Sequence, residues 1–500
     1  MCKFASRCWV LVLAALGVAL TAACASFTVA DTTPLAPERL LPQGGEHISQ
    51  GGYRMEALAN RSGAPDMLVL VEMSGGGKRS AAFAYGALEG MREVPVPTPA
   101  GPRPLLGEID AISGVSGGSF PAAYYGLYRE AAFGRFEQNF LYQDTEANIY
   151  GIYLLPWRWT WLVDPTVGTN DFMERVYDRT MFHGATFADL TKLGRPVIAI
   201  DATDLSYGTP FLFTQETFDL ICSDLDVFPL ARAVAASNGF PGLFSPITLT
   251  NRAAQCGGRT PGWLPRVTEA QRSDPLSRIG NESKVVEHYL DDNKTAYVHL
   301  VDGGVSDNLA LRAGGSAMES IAQSLAGVSS RFGHLRRVLA ISIDGEGAQD
   351  SSAARRRLVG GIFSLFGLVS GAQIDRYNFE TLTTVTQQLR DFTSALKEAR
   401  CTEARFIDGA PCDDVKGALL HISLNEMAPG PERDRLLAIP TGLTISREDA
   451  DLLVAAGRAA IMNAMPLRQF LDDYPVRPPV QSLAARIAQP GSEPRQMPKP

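Results

Sequence analysis

Histidine is scarce in this chain, with six in 500 residues. No cysteine shows metal-site spacing, and no histidine sits close enough to one to complete such a set, so a zinc-ribbon or zinc-finger function is excluded. No metal and no cofactor is expected. Basic charge is also short: 46 Lys and Arg stand against 54 Asp and Glu, a formal charge of −8. A general nucleic-acid binder would need a basic stripe, so nucleic acid is not an expected partner. Beyond the first two dozen residues no apolar run is long enough to cross a bilayer.

What is present is an ordinary globular composition, 45% hydrophobic and 20% charged, on a chain long enough to bury a large core. The N-terminus reads as an export signal over residues 1–23. Lys3 and Arg7 precede a short apolar stretch from Trp9 to Leu20. Leu20-Thr21-Ala22-Ala23-Cys24 looks like a lipobox in which Cys24 is lipidated, with Thr21 where the leucine usually stands. Plain cleavage after Ala23-Cys24-Ala25 is the alternative. Either reading places the protein in a bacterial cell envelope, anchored by lipid in the outer membrane or facing the periplasm. Of seven cysteines, Cys222, Cys256, Cys401 and Cys412 lie past this region. An even remainder in an oxidising compartment reads as two disulfides, Cys401–Cys412 closing a short loop and Cys222–Cys256 the other. Four free thiols remain the alternative.

Residues 24–64 are polar and rich in Pro and Gly, as in a tether. Apolar runs at 67–73, 196–200, 296–301 and 338–343 suit buried parallel strands, and 418–424 a late strand. Helical patterns fall at 81–92, 120–132, 171–180, 229–238 and 308–325. The clearest is 377–400, and another spans 446–463 with Ser446 as its N-cap. The alternation predicts an α/β fold, a central mostly parallel sheet with helices on both faces. One catalytic domain with insertions is expected over 65–465, followed by a Pro-rich mobile tail over 466–500.

Three glycine-containing turns carry the chemistry. Ser74-Gly75-Gly76-Gly77-Lys78-Arg79-Ser80 joins a strand to a helix and leaves backbone N–H groups uncovered, as a phosphate cradle or an oxyanion hole would. It lacks the span of a P-loop and the G-x-G-x-x-G of a dinucleotide site. Gly114-Val115-Ser116-Gly117-Gly118 follows an apolar run and precedes a helix, the setting of a nucleophile elbow. Val301-Asp302-Gly303-Gly304 ends a further strand with an acid on a sharp turn.

In this order the three turns resemble the patatin-like phospholipase family, with its G-G-G-x-[RK] loop, G-x-S-x-G elbow and D-G-[GA] motif. The helix and Pro-Gly turn at 235–244 look similar too. Ser80 departs from the pattern, since many members have Gly there. The resemblance implies Ser116 as nucleophile, Asp302 as its base in a Ser–Asp dyad, and Gly75, Gly76, Gly77 and Lys78 around the oxyanion. It implies an acyl ester of a lipid or phospholipid as substrate and a membrane surface as the place of work. Two other readings stay open. One is a Ser–His–Asp esterase using His334 or His421, His299 standing before Asp302 and so out of order. The other is a non-catalytic lipid-binding envelope protein. Two segments could meet lipid. The region 152–163 holds three of the five Trp, and Arg355-Arg356-Arg357 leads into an apolar stretch to Val369. Core packing of an insertion and a lid helix are the respective alternatives.

Overall fold

The computed structural model of the protein describes residues 31–55, 66–98, 101–147, 168–315, 318, 335–346, 357, 362–407 and 409–473. The first apolar run forms β1 (Met67–Met73), buried at every position. Helix α1 (Gly77–Met91) follows directly, then β2 (Ala111–Val115), α2 (Ser119–Tyr128) and β3 (Val197–Asp204). Next come β4 (Thr209–Leu212), α3 (Leu230–Ser237), β5 (Ile247–Thr250) and β6 (Tyr297–Asp302). The described chain continues with β7 (Arg337–Asp344), α4 (Ile362–Glu403), β8 (Lys416–Ser423) and α5 (Arg447–Met462).

The eight strands form one sheet in the order β8-β7-β1-β2-β3-β6-β5, with β4 beside β3. From β8 to β3 every pairing is parallel. β6 pairs antiparallel with β3 and β5, and β4 antiparallel with β3. The sheet is therefore mixed, and the expected parallel strand at 296–301 is corrected to an antiparallel one. A continuous apolar run reports burial on both faces; it carries no information on strand direction.

Side-chain alternation puts helices on both faces. On one face the α2 residue Gly126 lies so close to the sheet that a Cβ there would be 2.4 Å from Ile198. On the other, Leu70, Glu72, Ser113 and Ala199 face Ala313, Gly314 and Met318. Helix α4 lies on this second side: Gly315 abuts Val385 and Gln388, and Gly417 of β8 abuts Leu389 and Thr393. Only Gly77 and Glu89 of α1 escape full burial. Its small residues let α5 cross at backbone contact, since a Cβ on Gly86 would lie 2.0 Å from the Val454 carbonyl oxygen. Each buried Leu or Val in such a core contributes about 1.5–3 kcal/mol relative to exposure.

Several expected boundaries move. Residues 31–55 form an arm packed on the domain, where a tether was expected. Thr33–Pro34 pairs with Ser223–Asp224, and Leu35 and Ile48 pack on the Cys222–Cys256 disulfide. Arg54 makes a buried ion pair of 2.8 Å with Asp219. Polar composition hid these anchors because each is a single residue. Cys401–Cys412 is the second disulfide. The helix read at 377–400 is part of the 42-residue α4, as no proline interrupts 362–403. It absorbs most of the apolar stretch after Arg357. Residues 308–310 form a turn rather than the start of a helix. Met465–Asp472 is a docked helix with Leu467 and Leu471 buried, so the packed domain extends past 465. Pro466 sits in its first turn, where proline is tolerated. Ser446 caps α5 as expected, its Oγ accepting from the Asp449 amide at 3.0 Å. Cys24, the signal, the 152–163 segment, His334 and the chain after 473 lie outside the described residues. Among the described residues no helix is long and apolar enough to cross a membrane.

Candidate active site

The parallel strands β1 and β2 end side by side, and the two glycine turns leave from those ends. Val115 is the last residue of β2, and Ser116 takes φ +49° before the chain enters α2. A left-handed backbone on a non-glycine residue is strained by about 1–3 kcal/mol, and here it lifts the serine hydroxyl out of the strand line. The elbow tolerates no side chain behind the serine. A Cβ on Gly117 would stand 2.1 Å from the Gly77 carbonyl oxygen, and one on Gly118 would stand 2.3 Å from that of Met73. Those two glycines let the elbow and the glycine loop touch. The Ser116 amide donates to Ser237 Oγ at 2.9 Å, and Ser237 in turn donates to the Asp201 carbonyl at 2.6 Å. The elbow is thus tied to β3 through the last residue of α3.

Asp302 ends β6, one strand beyond β3. Its amide donates to the Gly239 carbonyl, and the Gly303 amide donates to that of Ser237, so the end of α3 also holds the turn that presents the carboxylate. Ser116 Oγ donates to Asp302 Oδ2 at 2.8 Å, and the Gly304 amide donates to Oδ1 at 2.8 Å. Asp302 is 5% exposed. Burial pushes its carboxyl up to about 6, against the opposing pull of the Gly304 and Ser116 hydrogen bonds. An acid near 6 is ionised at neutral pH yet basic enough to accept a serine proton in a transition state. Asn238 Oδ1 lies 3.4 Å from Ser116 Oγ.

The glycine loop closes the other side. A Cβ on Gly75 would come within 3.3 Å of Ser116 Cβ. The Gly75 amide donates to the Asn308 carbonyl and the Lys78 amide to the Gly442 carbonyl. Those two expected donors are therefore engaged, and the set narrows to Gly76 and Gly77, at φ +131° and +60°. Among the described residues the amides of Gly76 and Gly77 meet no carbonyl acceptor. Ser80 is taken up locally, its Oγ donating to the Ser74 carbonyl at 2.7 Å.

The described histidines stand elsewhere. His421 Nδ1 lies 3.1 Å from Ser342 Oγ, and its Nε2 lies 3.7 Å from Asp344. His299 Nδ1 pairs with Thr248 Oγ1 at 2.9 Å. Neither is a partner of Ser116 or Asp302. Among the described residues no group of three or more His, Cys, Asp or Glu is arranged to hold a metal ion. Asn308 and Gly442 support the site without having been singled out in the sequence, and Ser237, inside the 235–244 segment noted there, supports it with a role the sequence did not assign. For Ser237 the signal was a hydroxyl ending the small-residue stretch Ala235-Ala236. Gly442 gave none, because its role depends on a contact made across the whole fold.

A family model described as Patatin-like phospholipase matches residues 72–313, a span that holds the glycine loop, the elbow and Asp302. No curated protein matches the chain. Among solved structures, human GIVD cytosolic phospholipase A2 is similar at TM-score 0.41 and 13% identity, covering 84% of this chain and 64% of that one. The same human protein in complex with methyl gamma-linolenyl fluorophosphonate gives TM-score 0.39 and 12% identity, over 84% and 62%. Its complex with that inhibitor and terbium chloride gives 0.36 and 11%, over 84% and 61%. The chain thus spans less than two thirds of the length of these structures.

Proposed function

We propose that this chain, whose residues 72–313 form a patatin-like phospholipase domain, is a serine acyl hydrolase that cleaves acyl esters of lipids through an acyl-enzyme on Ser116. The observation that carries the reading is the 2.8 Å hydrogen bond from Ser116 Oγ to the buried Asp302 carboxylate, made at a left-handed elbow. Asp302 takes the hydroxyl proton as Oγ attacks the ester carbonyl. Charge builds on the carbonyl oxygen, where the Gly76 and Gly77 amides stabilise it, a donor of this kind being worth about 3–4 kcal/mol. As the tetrahedral species collapses, the leaving alcohol oxygen takes the proton from Asp302, and the acyl group stays on Oγ. Water then attacks the acyl carbonyl and gives a proton to Asp302. The fatty acid leaves, and the proton returns to Ser116.

The substrate class rests on the family match, with a phospholipid as the expected form and a membrane surface as its source. We place the protein outside the reducing cytoplasm, exported and lipid-anchored at Cys24; the two disulfides support an oxidising compartment. Purified protein assayed on a short-chain p-nitrophenyl ester and on phospholipid vesicles, with Ser116→Ala as control, tests the activity. Turnover by wild type and none by the variant is the expected result, and equal turnover removes the hydrolase reading. Globomycin treatment tests the anchor, since accumulation of an unprocessed precursor is expected and its absence removes lipidation.

A further inference from the structure

Lys78 was expected to lend its backbone amide to the oxyanion, and the fold spends that amide on Gly442. Its side chain is 2% exposed. The ammonium donates to the carbonyls of Leu141, at 3.4 Å, and Gln143, and lies 5.0 Å from the centroid of the Phe140 ring. Burying an ammonium is costly where a methionine would fill the space, so a lysine held in this way calls for a reason beyond packing.

The same turn is gripped from a second direction. A Cβ on Gly77 would stand 2.5 Å from the Gly442 oxygen. Arg79 Nη1 donates to the Ile439 carbonyl at 2.9 Å, and its Nε donates to that of Gly345 at 2.8 Å. Thr444 Oγ1 joins the two grips, accepting from the Glu146 amide at 3.2 Å and donating to Asp144 Oδ1 at 3.0 Å. Arg447 also stacks on Tyr142, 3.9 Å from its ring centroid. Residues 439–447 lie outside the span matched by the family model.

We propose that Lys78 is a positioning residue of the glycine loop: its buried ammonium ties the first turn of α1 to the 140–143 turn, residues 439–444 hold that turn from the other side, and together they aim the Gly76 and Gly77 amides at the ester oxygen. This rests on the hydrolase reading above. The charged groups facing Lys78 are Asp144 and Glu146, both acidic, while the neighbouring Arg79 is turned toward Gly345 and Ile439. Burial brings the Lys78 ammonium down to about 8, opposed by those two acids. Below that pH the charged form holds the carbonyls. Above it the neutral amine holds them less tightly, and the amides lose their aim.

The test is the pH dependence of kcat and KM on a soluble p-nitrophenyl ester for wild type, Lys78→Met, Lys78→Arg and Thr444→Val. Wild-type kcat is expected to fall about tenfold as pH rises through about 8, with KM changing little, as for a loss confined to transition-state stabilisation. Lys78→Met should sit at that low plateau throughout, about tenfold below wild type in kcat at pH 7 and equal to it well above 8, with no step between. Lys78→Arg should keep the higher plateau to the alkaline end, because guanidinium stays charged. Thr444→Val should lower kcat about threefold without moving the step. A wild-type profile flat through 8, a measurement that needs no variant to fold, overturns the proposal, and so does a Lys78→Met enzyme with wild-type kcat at pH 7. Ser116→Ala separates the two readings: if it is as active as wild type, the hydrolase assignment itself fails, whereas a dead Ser116→Ala with an unaffected Lys78→Met removes only the role of Lys78.

Discussion

Two clusters near the carboxyl ends of the parallel strands hold similar side chains and differ in everything else. On β7 and β8, His421 lies within hydrogen-bonding reach of Ser342 and ion-pair reach of Asp344, the residue types of a hydrolytic triad. At β2 and β6 there is only Ser116 and Asp302. Yet Ser342 lies inside a regular strand with no exposure, its neighbours paired on both sides. Ser116 sits on a left-handed turn, with Gly117 and Gly118 clearing the space behind it. The first set satisfies buried polar groups, and on the proposed reading the second would present a hydroxyl to an approaching ester. Backbone placement makes the difference, so substitutions should affect the two clusters very unequally.

The largest effect is expected at the dyad. Ser116→Ala and Asp302→Asn should each lower kcat/KM by about 10³-fold or more. Ser342→Ala and His421→Ala should leave it within about threefold in a protein that still folds. Ester turnover by the four variants checks this, and a dead His421→Ala with an intact fold would return the triad reading. Next comes Gly117→Ala. Its Cβ would collide with the Gly77 carbonyl, so loop and elbow must part, with a loss of about 10² in kcat and 1–3 kcal/mol in urea unfolding.

The pH profile sharpens the contrast further. As the proposed base, Asp302 must be ionised, so kcat/KM should fall about tenfold per pH unit below about 6 and hold a plateau from there up to the Lys78 step near 8. An acid limb near 4 would mean an unburied base. The smallest effect is on stability and has the opposite sign to that on activity. The folded Asp302 carboxyl is raised from 3.8 to about 6. Its ionisation therefore costs nothing below the unfolded value, begins to cost as pH rises past 3.8, and costs its full amount above 6. Asp302→Asn should stabilise the fold by about 2 kcal/mol at pH 8, allowing for weakened hydrogen bonds, and the gain should vanish below about pH 4. Urea unfolding at both pH values measures it.

The long parallel strands were legible because each is a near-continuous apolar run. β4 and β5, of four residues each, carry too few positions to show a pattern. The helix Arg278–Tyr289 escaped notice because few of its residues are buried, leaving a weak apolar stripe. The direction of β6 is set by the route of the chain and not by residue type. The turns carrying Ser116 and Asp302 stood out because each pairs a reactive side chain with glycine, and the structure brings those two side chains to 2.8 Å. The engagement of the Gly75 and Lys78 amides was not, because their acceptors at Asn308 and Gly442 are hundreds of residues away. For the same reason the arm at 31–55, held by Leu35, Ile48 and Arg54, read as a polar linker.

The most direct test of the central claim is covalent. The purified protein is treated with an alkyl fluorophosphonate, digested, and mapped by mass spectrometry, with Asp302→Asn treated in parallel. The account predicts a single phosphonyl adduct on Ser116, formed slowly or not at all in Asp302→Asn. An adduct on Ser342, or labelling of Ser116 at an unchanged rate without Asp302, would contradict it.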